Sequence, residues 1–379
     1  MKKRIALLGA TGSIGTTALN VIRQYKNDFE VMLIANNTNI NALEKLINEF
    51  HPEFAYNKAY KRLYYKGKIQ PFDKDFISKS ESYKGIDTVI NGIDGIEGLA
   101  PSIAALTAGK TLATANKESF VSAGRFINLT KEKYNSKIIP LDSEHSTVWQ
   151  CIGNERDNVE SIILTASGGA FRDWDKKRLK DAKAKDALKH PNWVMGKKVT
   201  IDCATLMNKG MEIIEAKYLF NTDKIEVIQH DESIVHSMVR FKDNSIMAGL
   251  SSPDMTLPIQ YALTYPQRKV TPVKPLDLTQ IKKLNFGVID EEKFPCVNIA
   301  KKVFKMGEVA GAIMNASNEA AVNAYLGDKI GFYDIPKLIT QAIDRFYFDG
   351  YFNNIEKVYS IHKDAYEYTC KRINTGEYK

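Results

Sequence analysis

The chain has 379 residues, 44% hydrophobic and 26% charged, which fits a folded globular protein of two or three domains. No apolar run approaches the roughly 20 residues that cross a bilayer, and the opening MKKRIALLGATGSIG passes directly into a structured motif, so we expect neither a membrane protein nor a leader segment. The net charge of +8 comes from scattered lysines, and four distant cysteines lack CxxC spacing, so we expect no nucleic-acid partner, zinc ribbon or disulfide framework, and a cytoplasmic location.

The first third of the chain alternates strand-like and helix-like segments. The apolar run RIALL (4–8) breaks into GATGSIG and then into a segment with helical spacing of apolar residues, which is typical of the start of a dinucleotide-binding βαβ unit. Further strands are predicted at 29–35, 87–92, 111–116 and 137–141, and further helices at 39–50 and 98–109. This alternation predicts a mostly parallel sheet with helices on both faces.

From about residue 150 the pattern changes. Strand-like runs at 159–171 and 224–250, joined by short turns such as KDNS, predict an α+β domain with an antiparallel or mixed sheet. Between them, the polar, lysine-rich segment 172–198 has little to bury and predicts a mobile loop or lid. Three prolines and little periodicity at 266–293 indicate a linker, and amphipathic patterns after it predict a small helical bundle.

We therefore predict an α/β protein with three structural regions and one connection. They are a Rossmann-like parallel-sheet domain at 1–141, a catalytic α+β domain at 142–265 with a flap at 167–196, a linker at 266–293 and a C-terminal helical bundle at 294–379.

The first candidate site is the glycine motif. Gly9, Gly12 and Gly15 are spaced GxxGxxG between the predicted strand and helix, where backbone N–H groups can approach a pyrophosphate. A tight turn without a ligand is the alternative. The second strand ends in Asn36, Asn37 and Thr38 instead of the acid that signals NAD, which allows NADP without requiring it.

Two acids in PLDSEH form the second candidate. Asp142 and Glu144 are two residues apart, so in an extended segment they point to the same side. Two oxygen ligands on one side suit Mg²⁺ or Mn²⁺. The alternative is helix capping, with Asp142 or Ser143 as the N-cap and Glu144 in the first turn.

Two further clusters combine an amide, a lysine and an acid. Asn116, Lys117 and Glu118 follow a predicted strand end, where open α/β folds bind ligands; a solvated helix start is the alternative. On a helix, Asn208 and Glu212 share a face with Lys209 beside them, which could complete a metal and phosphate site. A surface Lys–Glu pair is the commoner explanation of that spacing.

The polar lid carries three candidate contacts. Ser167 and His190 could donate to a phosphate or hydroxyl, and Trp193 is a large apolar side chain in a segment otherwise too polar to bury one. A lid that closes over substrate would exclude water in this way. His230 and His236 lie in strand-like sequence and are predicted to be structural.

Eight motifs occur in this order along the chain: GATGSIG, ATANKES, PLDSEH, LTASGGAFR, HPNWVMGKK, ATLMNKGMEIIEA, HSMVRF and NASNEAA. In these motifs, from residue 4 to near the C-terminus, the sequence resembles the 1-deoxy-D-xylulose 5-phosphate (DXP) reductoisomerases of the non-mevalonate isoprenoid route. The resemblance implies a homodimer that isomerises this sugar phosphate and reduces it with NADPH to 2-C-methyl-D-erythritol 4-phosphate, using Mg²⁺ or Mn²⁺.

The resemblance also implies residue roles. Cofactor contacts would come from Gly9, Thr11, Gly12, Ser13, Ile14, Gly15, Asn36, Asn37, Asn116, Glu118 and Gly196. Metal ligands would be Asp142, Glu144 and Glu212. Substrate contacts would be Ser143, Glu144, Ser167, His190, Trp193, Cys203, Asn208, Lys209 and Glu212, with Met195 also on the flap. The catalytic residues would be Lys117, Glu144, Lys209 and Glu212.

The sequence departs from the family pattern at two places. Cys203 stands where a serine is usual near the phosphate, and a thiol is a weaker hydrogen-bond donor. Asn36, Asn37 and Thr38 replace a segment in which a lysine commonly meets the 2′-phosphate of NADP. Two rival hypotheses remain, namely a semialdehyde- or homoserine-type dehydrogenase that needs no metal, and a dinucleotide-sensing protein without catalysis.

Overall fold

The structure is a computed structural model that describes residues 1–189, 193 and 195–378. It divides into two compact units, each built from separate stretches of the chain. The first unit consists of Met1–Asn116, Ile127–Ser146 and Asp254–Val273, and the second consists of Lys117–Phe126, Thr147–Pro253 and Lys274–Lys379. These limits differ from the expected boundaries at 141 and 265, and they cut the expected linker between residues 273 and 274. The functional domain boundaries therefore stay predictions.

The first unit contains an eight-stranded sheet. Its strands are β1 Lys3–Leu8, β2 Phe29–Asn36, β3 Phe54–Asn57, β4 Arg62–Tyr65, β5 Lys68–Gln70, β6 Thr88–Asn91, β7 Thr111–Thr114 and β8 Lys137–Pro140. Their order is β5-β4-β3-β2-β1-β6-β7-β8, and the six strands from β3 to β8 in that order are parallel. This is the strand order of dinucleotide-binding folds. The parallel sheet predicted from the sequence is confirmed.

Helices follow five of these strands, and the first three helices lie at the predicted positions. They are α1 Ser13–Gln24, α2 Ile40–Phe50, α3 Leu99–Thr107, α4 Lys117–Lys133 and α5 Ser143–Ile152. The sequence did not reveal β3, β4 and β5. At this edge of the sheet, β4 is antiparallel to both β3 and β5. These strands have only three or four residues each and lie among lysines and tyrosines, so they carry too little alternation to be recognised.

A smaller mixed sheet lies in the second unit. Its strands are β9 Val159–Ala166, β10 Ile225–Gln229, β11 Val235–Phe241 and β12 Ile246–Leu250, in the order β10-β9-β11-β12. β9 and β10 are parallel, whereas β11 is antiparallel to both of its neighbours. Apolar side chains of this sheet pack against those of neighbouring helices, including Ile162, Leu164, Ile213, Phe220 and Val239. The mixed sheet predicted for this region is confirmed.

The remaining helices complete both units. They are α6 Lys176–Lys180, α7 Ala184–Ala187, α8 Lys197–Ala204, α9 Met207–Phe220, α10 Thr256–Thr264, α11 Leu278–Ile281, α12 Pro295–Met306, α13 Glu308–Leu326, α14 Asp334–Phe346 and α15 Ile355–Thr375. Most of α13 is buried, and α12, α14 and α15 pack against it, which confirms the C-terminal bundle. Within the part of the chain that the structure describes, we find no helix with the length and apolar character needed to cross a membrane.

The lysine-rich segment after β9 is better packed than its composition suggests. Leu179, Ala184 and Ala187 are buried, and the hydroxyl of Tyr325 donates to the carbonyl of Ala182 over 3.1 Å. The expectation that this stretch has little to bury is therefore wrong for residues 176–187. A few small apolar residues bury one side of the short helices, while most of the surrounding lysines extend into solvent.

The glycine turn after β1 is fixed by close backbone approaches. Gly9 has a φ of +78°, and a Cβ there would lie 2.4 Å from the carbonyl oxygen of Gly92. A Cβ on Gly15 would lie 2.3 Å from the carbonyl oxygen of Gly9. The two glycines therefore let the start of α1 lie directly against the end of β1.

Gly15→Ala tests this packing. Because the new methyl group meets backbone atoms that cannot rotate away, we expect a loss of about 1–3 kcal/mol in the free energy of unfolding, measured by urea denaturation. Thr16→Ala is the matched control, since Thr16 is exposed on the same turn and its truncation should change that energy by less than about 0.5 kcal/mol. Equal stability of the two variants would contradict the backbone contact.

Candidate active site

The carboxyl ends of β1 and β2 form the first part of the site. Thr11, Gly12 and Ser13 are exposed or half-buried at the start of α1, where helix N–H groups and the helix dipole favour an anion. The turn has no room for a Cβ at Gly9 or Gly15, so the start of α1 is held close to the end of β1. This geometry fits the pyrophosphate of a dinucleotide.

Asn36 at the end of β2 is held by its own neighbours. Its amide nitrogen donates to the carbonyl of Asn39 over 2.6 Å, and its amide oxygen accepts from the side chain of Asn57 over 2.7 Å. The side chain is 6% exposed, whereas Asn37 and Thr38 are open to solvent. Asn36 therefore shapes the end of the strand, and its predicted cofactor contact stays a prediction.

Asn116 is fixed in a similar way beyond β7. Its amide nitrogen donates to the carbonyls of Ile93 and Gly95 over 2.8 and 2.7 Å, and its backbone N–H donates to the hydroxyl of Thr114 over 3.0 Å. A Cβ on Gly98 would lie 2.7 Å from the Asn116 amide carbon. The amide is thus locked in place after the strand, at the edge of the sheet where ligands bind in such folds.

PLDSEH is the start of α5. The helix begins at Ser143, the N–H of Ser146 donates to the carbonyl of Asp142 over 2.8 Å, and Glu144 lies in the first turn. The helix start considered for these residues is confirmed, with Glu144 in the first turn, so the extended geometry expected for 142–144 is wrong. The hydroxyl of Ser143 donates to the carboxylate of Glu144 over 2.5 Å. The roles of Asp142, Ser143 and Glu144 toward a metal and a substrate stay predictions.

The second unit gathers three predicted residues around the carboxylate of a fourth, Glu212. Lys117 Nζ lies 3.1 Å from Glu212 Oε1 and donates to the amide oxygen of Asn208 over 2.7 Å. Lys209 Nζ pairs with the other oxygen of Glu212, and the Asn208 amide also donates to this carboxylate. Glu212 is fully buried and Lys209 is 4% exposed. The surface Lys–Glu pair considered from the spacing is therefore wrong, because the pair is buried.

Two ammonium groups and one amide face a single carboxylate in this cluster, in a region shielded from water. Burial strengthens the electrostatic interactions of these groups, because the effective dielectric constant is lower there than in water. The cluster is suited to bind an anionic group such as a phosphate, or an oxygen on which negative charge develops.

A second buried network lies beside the first, and the sequence did not reveal it. Lys198 Nζ is 2.8 Å from Glu118 Oε1 and 2.8 Å from Asp202 Oδ2. The Asn318 amide donates to the other oxygen of Asp202 over 2.8 Å. The spacing of Lys198 and Asp202, four residues apart, could have indicated an ion pair within α8. Nothing in the sequence connects this pair to α4 or α13. Glu118 is 6% exposed, so a solvated helix start is wrong here.

The pKa values in this network follow from burial and charge. Burial raises the pKa of Glu118, but Lys198 outweighs it, so the pKa lies below the usual range. For Asp202 burial dominates and raises the pKa despite Lys198 and Asn318. Burial lowers the pKa of Lys198, but the two acids outweigh it, so the pKa is raised and the ammonium stays charged.

Other predicted contacts lie around β9 and before α8. Ser167 follows β9, and its hydroxyl accepts a 3.4 Å hydrogen bond from the N–H of Gly169. A Cβ on Gly169 would lie 2.3 Å from the carbonyl oxygen of Cys203, so this turn lies directly against the backbone of α8. Burial raises the pKa of the Cys203 thiol, which keeps it neutral.

Two further residues of the predicted flap, Trp193 and Gly196, can be placed in the second unit. The rings of Trp193 and His236 lie 6.1 Å apart, and His236 Nε2 is 2.8 Å from the hydroxyl of Ser251. Gly196 is the N-cap position of α8. His190 lies outside the described residues.

Three family models match the chain. The model of 1-deoxy-D-xylulose 5-phosphate reductoisomerase matches residues 5–124, its C-terminal domain matches 138–220, and the DXP reductoisomerase C-terminal domain matches 250–368. The 1-deoxy-D-xylulose 5-phosphate reductoisomerase of Geobacillus sp. (strain WCH70) is 43% identical over 353 residues, which cover 90% of this chain and 93% of the relative. The chain belongs to the DXP reductoisomerase family.

Other members of the family agree over nearly the whole length. The DXP reductoisomerase of Clostridium botulinum (strain Loch Maree / Type A3) is 41% identical and covers 98% of this chain and 100% of the relative. A solved DOX-P reductoisomerase in complex with NADPH, fosmidomycin and magnesium has a TM-score of 0.92 at 34% identity, over 99% of both chains. The enzyme from Zymomonas mobilis in complex with NADPH has a TM-score of 0.90 at 34% identity, over 98% and 99% of the two chains. The resemblance and fold class inferred from the sequence are confirmed.

Lys198→Met tests the network that holds α8 to α4. Without the ammonium, two buried carboxylates lose their shared partner, and we expect a loss of about 3 kcal/mol in the free energy of unfolding, measured by urea denaturation. Lys197→Met is the matched control, because Lys197 is the exposed neighbour on the same helix. If both variants unfold at the same urea concentration as the wild type, the network contributes nothing to stability.

Proposed function

We propose that the chain catalyses the reductive isomerisation of DXP to 2-C-methyl-D-erythritol 4-phosphate, with NADPH and a divalent metal ion, in isoprenoid precursor biosynthesis. The buried cluster around Glu212 is the observation that carries the proposal. It holds two ammonium groups and an amide on one buried carboxylate, and such N–H donors suit an anionic sugar phosphate.

The residues of the candidate site fit both NADPH and a divalent metal ion, the two groups that this reaction requires. NADPH fits the glycine turn, because the start of α1 offers helix N–H groups and a helix dipole that favour a pyrophosphate. Asp142, Glu144 and Glu212 would hold the metal, since carboxylate oxygens are the ligands that Mg²⁺ and Mn²⁺ prefer. Both oxygens of Glu212 already face ammonium groups, so the orientation of this carboxylate is fixed. When bound, the metal supplies Lewis-acid chemistry at the substrate oxygens and NADPH supplies the hydride.

The chain's own residues would bind and orient the substrate. Lys117 and Lys209 would stabilise negative charge on substrate oxygens, because their ammonium groups are buried and already oriented. Their hydrogen bonds to Asn208 and Glu212 fix the positions of both nitrogens before substrate arrives.

The phosphate and the flap complete the proposed substrate site. Ser143, Ser167, Cys203 and His190 would add contacts to the substrate, and Trp193 would exclude water from it. At position 203 the neutral thiol would be the weaker donor, so Ser167, Asn208 and Lys209 would carry more of the phosphate binding.

Turnover tests the proposal directly. We expect NADPH oxidation in the presence of DXP and Mg²⁺ or Mn²⁺, followed by absorbance, and its loss on chelation of the metal. Turnover that persists after complete metal removal would instead favour a simple dehydrogenase, and binding of NADPH without any turnover would favour a dinucleotide sensor.

Glu212→Gln tests the central carboxylate. We expect kcat to fall at least about 100-fold, because the variant removes one charge from the metal and from both lysines, while the dissociation constant for NADPH stays unchanged. Glu160→Gln is the control, since Glu160 is an exposed carboxylate paired with Lys224 in the same unit. A large loss of NADPH affinity in Glu212→Gln would mean that the residue serves the cofactor instead.

We also propose a homodimer, and β12 supports it. This edge strand exposes Ile246, Met247 and Leu250, at 49%, 53% and 41%. An exposed apolar edge strand is a site for pairing with another chain, and a second copy of β12 presents the same surface. The four free cysteines support the proposed cytoplasmic location, because a reducing compartment keeps thiols unpaired.

Met247→Lys tests the dimer. We expect the variant to elute as a monomer in size-exclusion chromatography with light scattering, while the wild type is dimeric, because the lysine would lose solvation at the interface. Ile69→Lys is the control, since Ile69 is equally exposed on the edge strand β5 of the other sheet. A dimer that persists in Met247→Lys would place the interface elsewhere.

A further inference from the structure

The end of β2 lacks the charged residue that usually distinguishes the two nicotinamide cofactors. Asn36, Asn37 and Thr38 are neutral, and the Asn36 amide is already engaged by Asn39 and Asn57. This strand end therefore offers no positive charge to a 2′-phosphate. If the cofactor is NADPH, as the proposed function requires, the cation has to come from another part of the fold.

β3 places such a cation beside this strand end. Asn36 pairs with Asn57 in the parallel register of β2 and β3. One residue later, the backbone N–H of Lys58 donates to the carbonyl of Asn36 over 3.1 Å, and that of Ala59 donates to the carbonyl of Asn37 over 3.1 Å. The backbone of Lys58 is thus fixed directly next to Asn36 and Asn37.

The Lys58 side chain reaches across the strand ends. Its Nζ lies 2.5 Å from Oε2 of Glu97, in the short 3₁₀ turn Gly95–Gly98 after β6. In the sheet, β2 and β1 lie between β3 and β6. The ion pair therefore spans the carboxyl ends of the two strands where dinucleotide-binding folds hold the adenosine ribose and the pyrophosphate.

This ion pair is easy to exchange. The side chains of Lys58 and Glu97 are 53% and 65% exposed, and an ion pair in such contact with water contributes little to stability. A phosphate carries more charge than a carboxylate and offers three acceptor oxygens, so it competes well for the ammonium. Glu97 has the opposite effect, because its negative charge repels the phosphate and competes for the lysine.

We propose that Lys58 determines cofactor preference in this chain by exchanging its ion pair with Glu97 for one with the 2′-phosphate of NADPH. The inference rests on the proposed function, which supplies the cofactor. In this proposal Lys58, which follows β3, supplies the positive charge that is absent from the end of β2. Glu97 opposes binding of the phosphate.

Binding measurements on the whole protein, without sugar phosphate or metal, test this inference. Dissociation constants for NADPH and NADH are measured by isothermal titration calorimetry for the wild type, Lys58→Met and Glu97→Gln. We expect Lys58→Met to weaken NADPH binding about tenfold or more and to leave NADH binding unchanged, since only NADPH carries the 2′-phosphate. Glu97→Gln should strengthen NADPH binding, because it removes the competing anion.

Two controls separate the 2′-phosphate contact from general effects of charge. Lys68→Met removes an exposed lysine on β5, at the far edge of the same sheet, and should change neither dissociation constant. Lys58→Arg keeps the charge and should retain the preference for NADPH. Thermal unfolding of each variant shows that the fold is intact.

The outcomes distinguish this inference from the proposed function. Equal weakening of NADPH and NADH binding in Lys58→Met, or no change in either, would overturn the role of Lys58. If the wild type nevertheless turns over DXP with NADPH, the proposed function stands alone. A wild-type protein that binds no NADPH would overturn both.

Discussion

The buried carboxylate of Glu212 is the constraint on which the candidate site depends. An ionised carboxyl group that water cannot reach is costly unless charged and hydrogen-bonding partners surround it. Lys117, Lys209 and Asn208 supply those partners, and they come from the first turns of two helices. The requirement to satisfy one carboxylate therefore orients every other group of this cluster.

A second buried carboxylate, one residue further along α4, also requires charged partners. Lys117 faces the acid of α9, whereas Glu118 faces Lys198 of α8, so two adjacent residues of opposite charge connect the start of α4 to two different helices. Asp202 and Asn318 extend the second network to α13. The same buried charges therefore contribute to the stability of the second unit and fix the geometry of its candidate site.

The first unit differs, because its candidate site consists mainly of backbone. The close approaches at Gly9 and Gly15 hold the start of α1 against the end of β1, and the side-chain amides of Asn36 and Asn116 hold the neighbouring loops. A backbone site of this kind does not by itself distinguish one dinucleotide from another. Discrimination has to come from a few charged side chains at its margin, where water weakens each interaction but also allows partners to exchange.

The family, the parallel sheet, the glycine turn and the identity of the chemical groups could all be inferred from local sequence patterns. These features depend on local periodicity and on motifs of adjacent residues, which the order of amino acids records directly. The sequence also placed Asn208, Lys209 and Glu212 on one helix, since their spacing follows from 3.6 residues per turn. It could not say whether that trio was a surface pair or a buried cluster.

The burial of these charged groups and their long-range partners could be seen only in the folded chain. Lys117 meets Glu212 across 95 positions, and Asn318 meets Asp202 across 116, which no local pattern encodes. The strands β3 to β5 were too short to be recognised, so the position of Lys58 beside Asn36 was invisible as well. Periodicity determines which side of an element is apolar, but the pairing of charges depends on how distant elements pack, and that is a property of the folded chain.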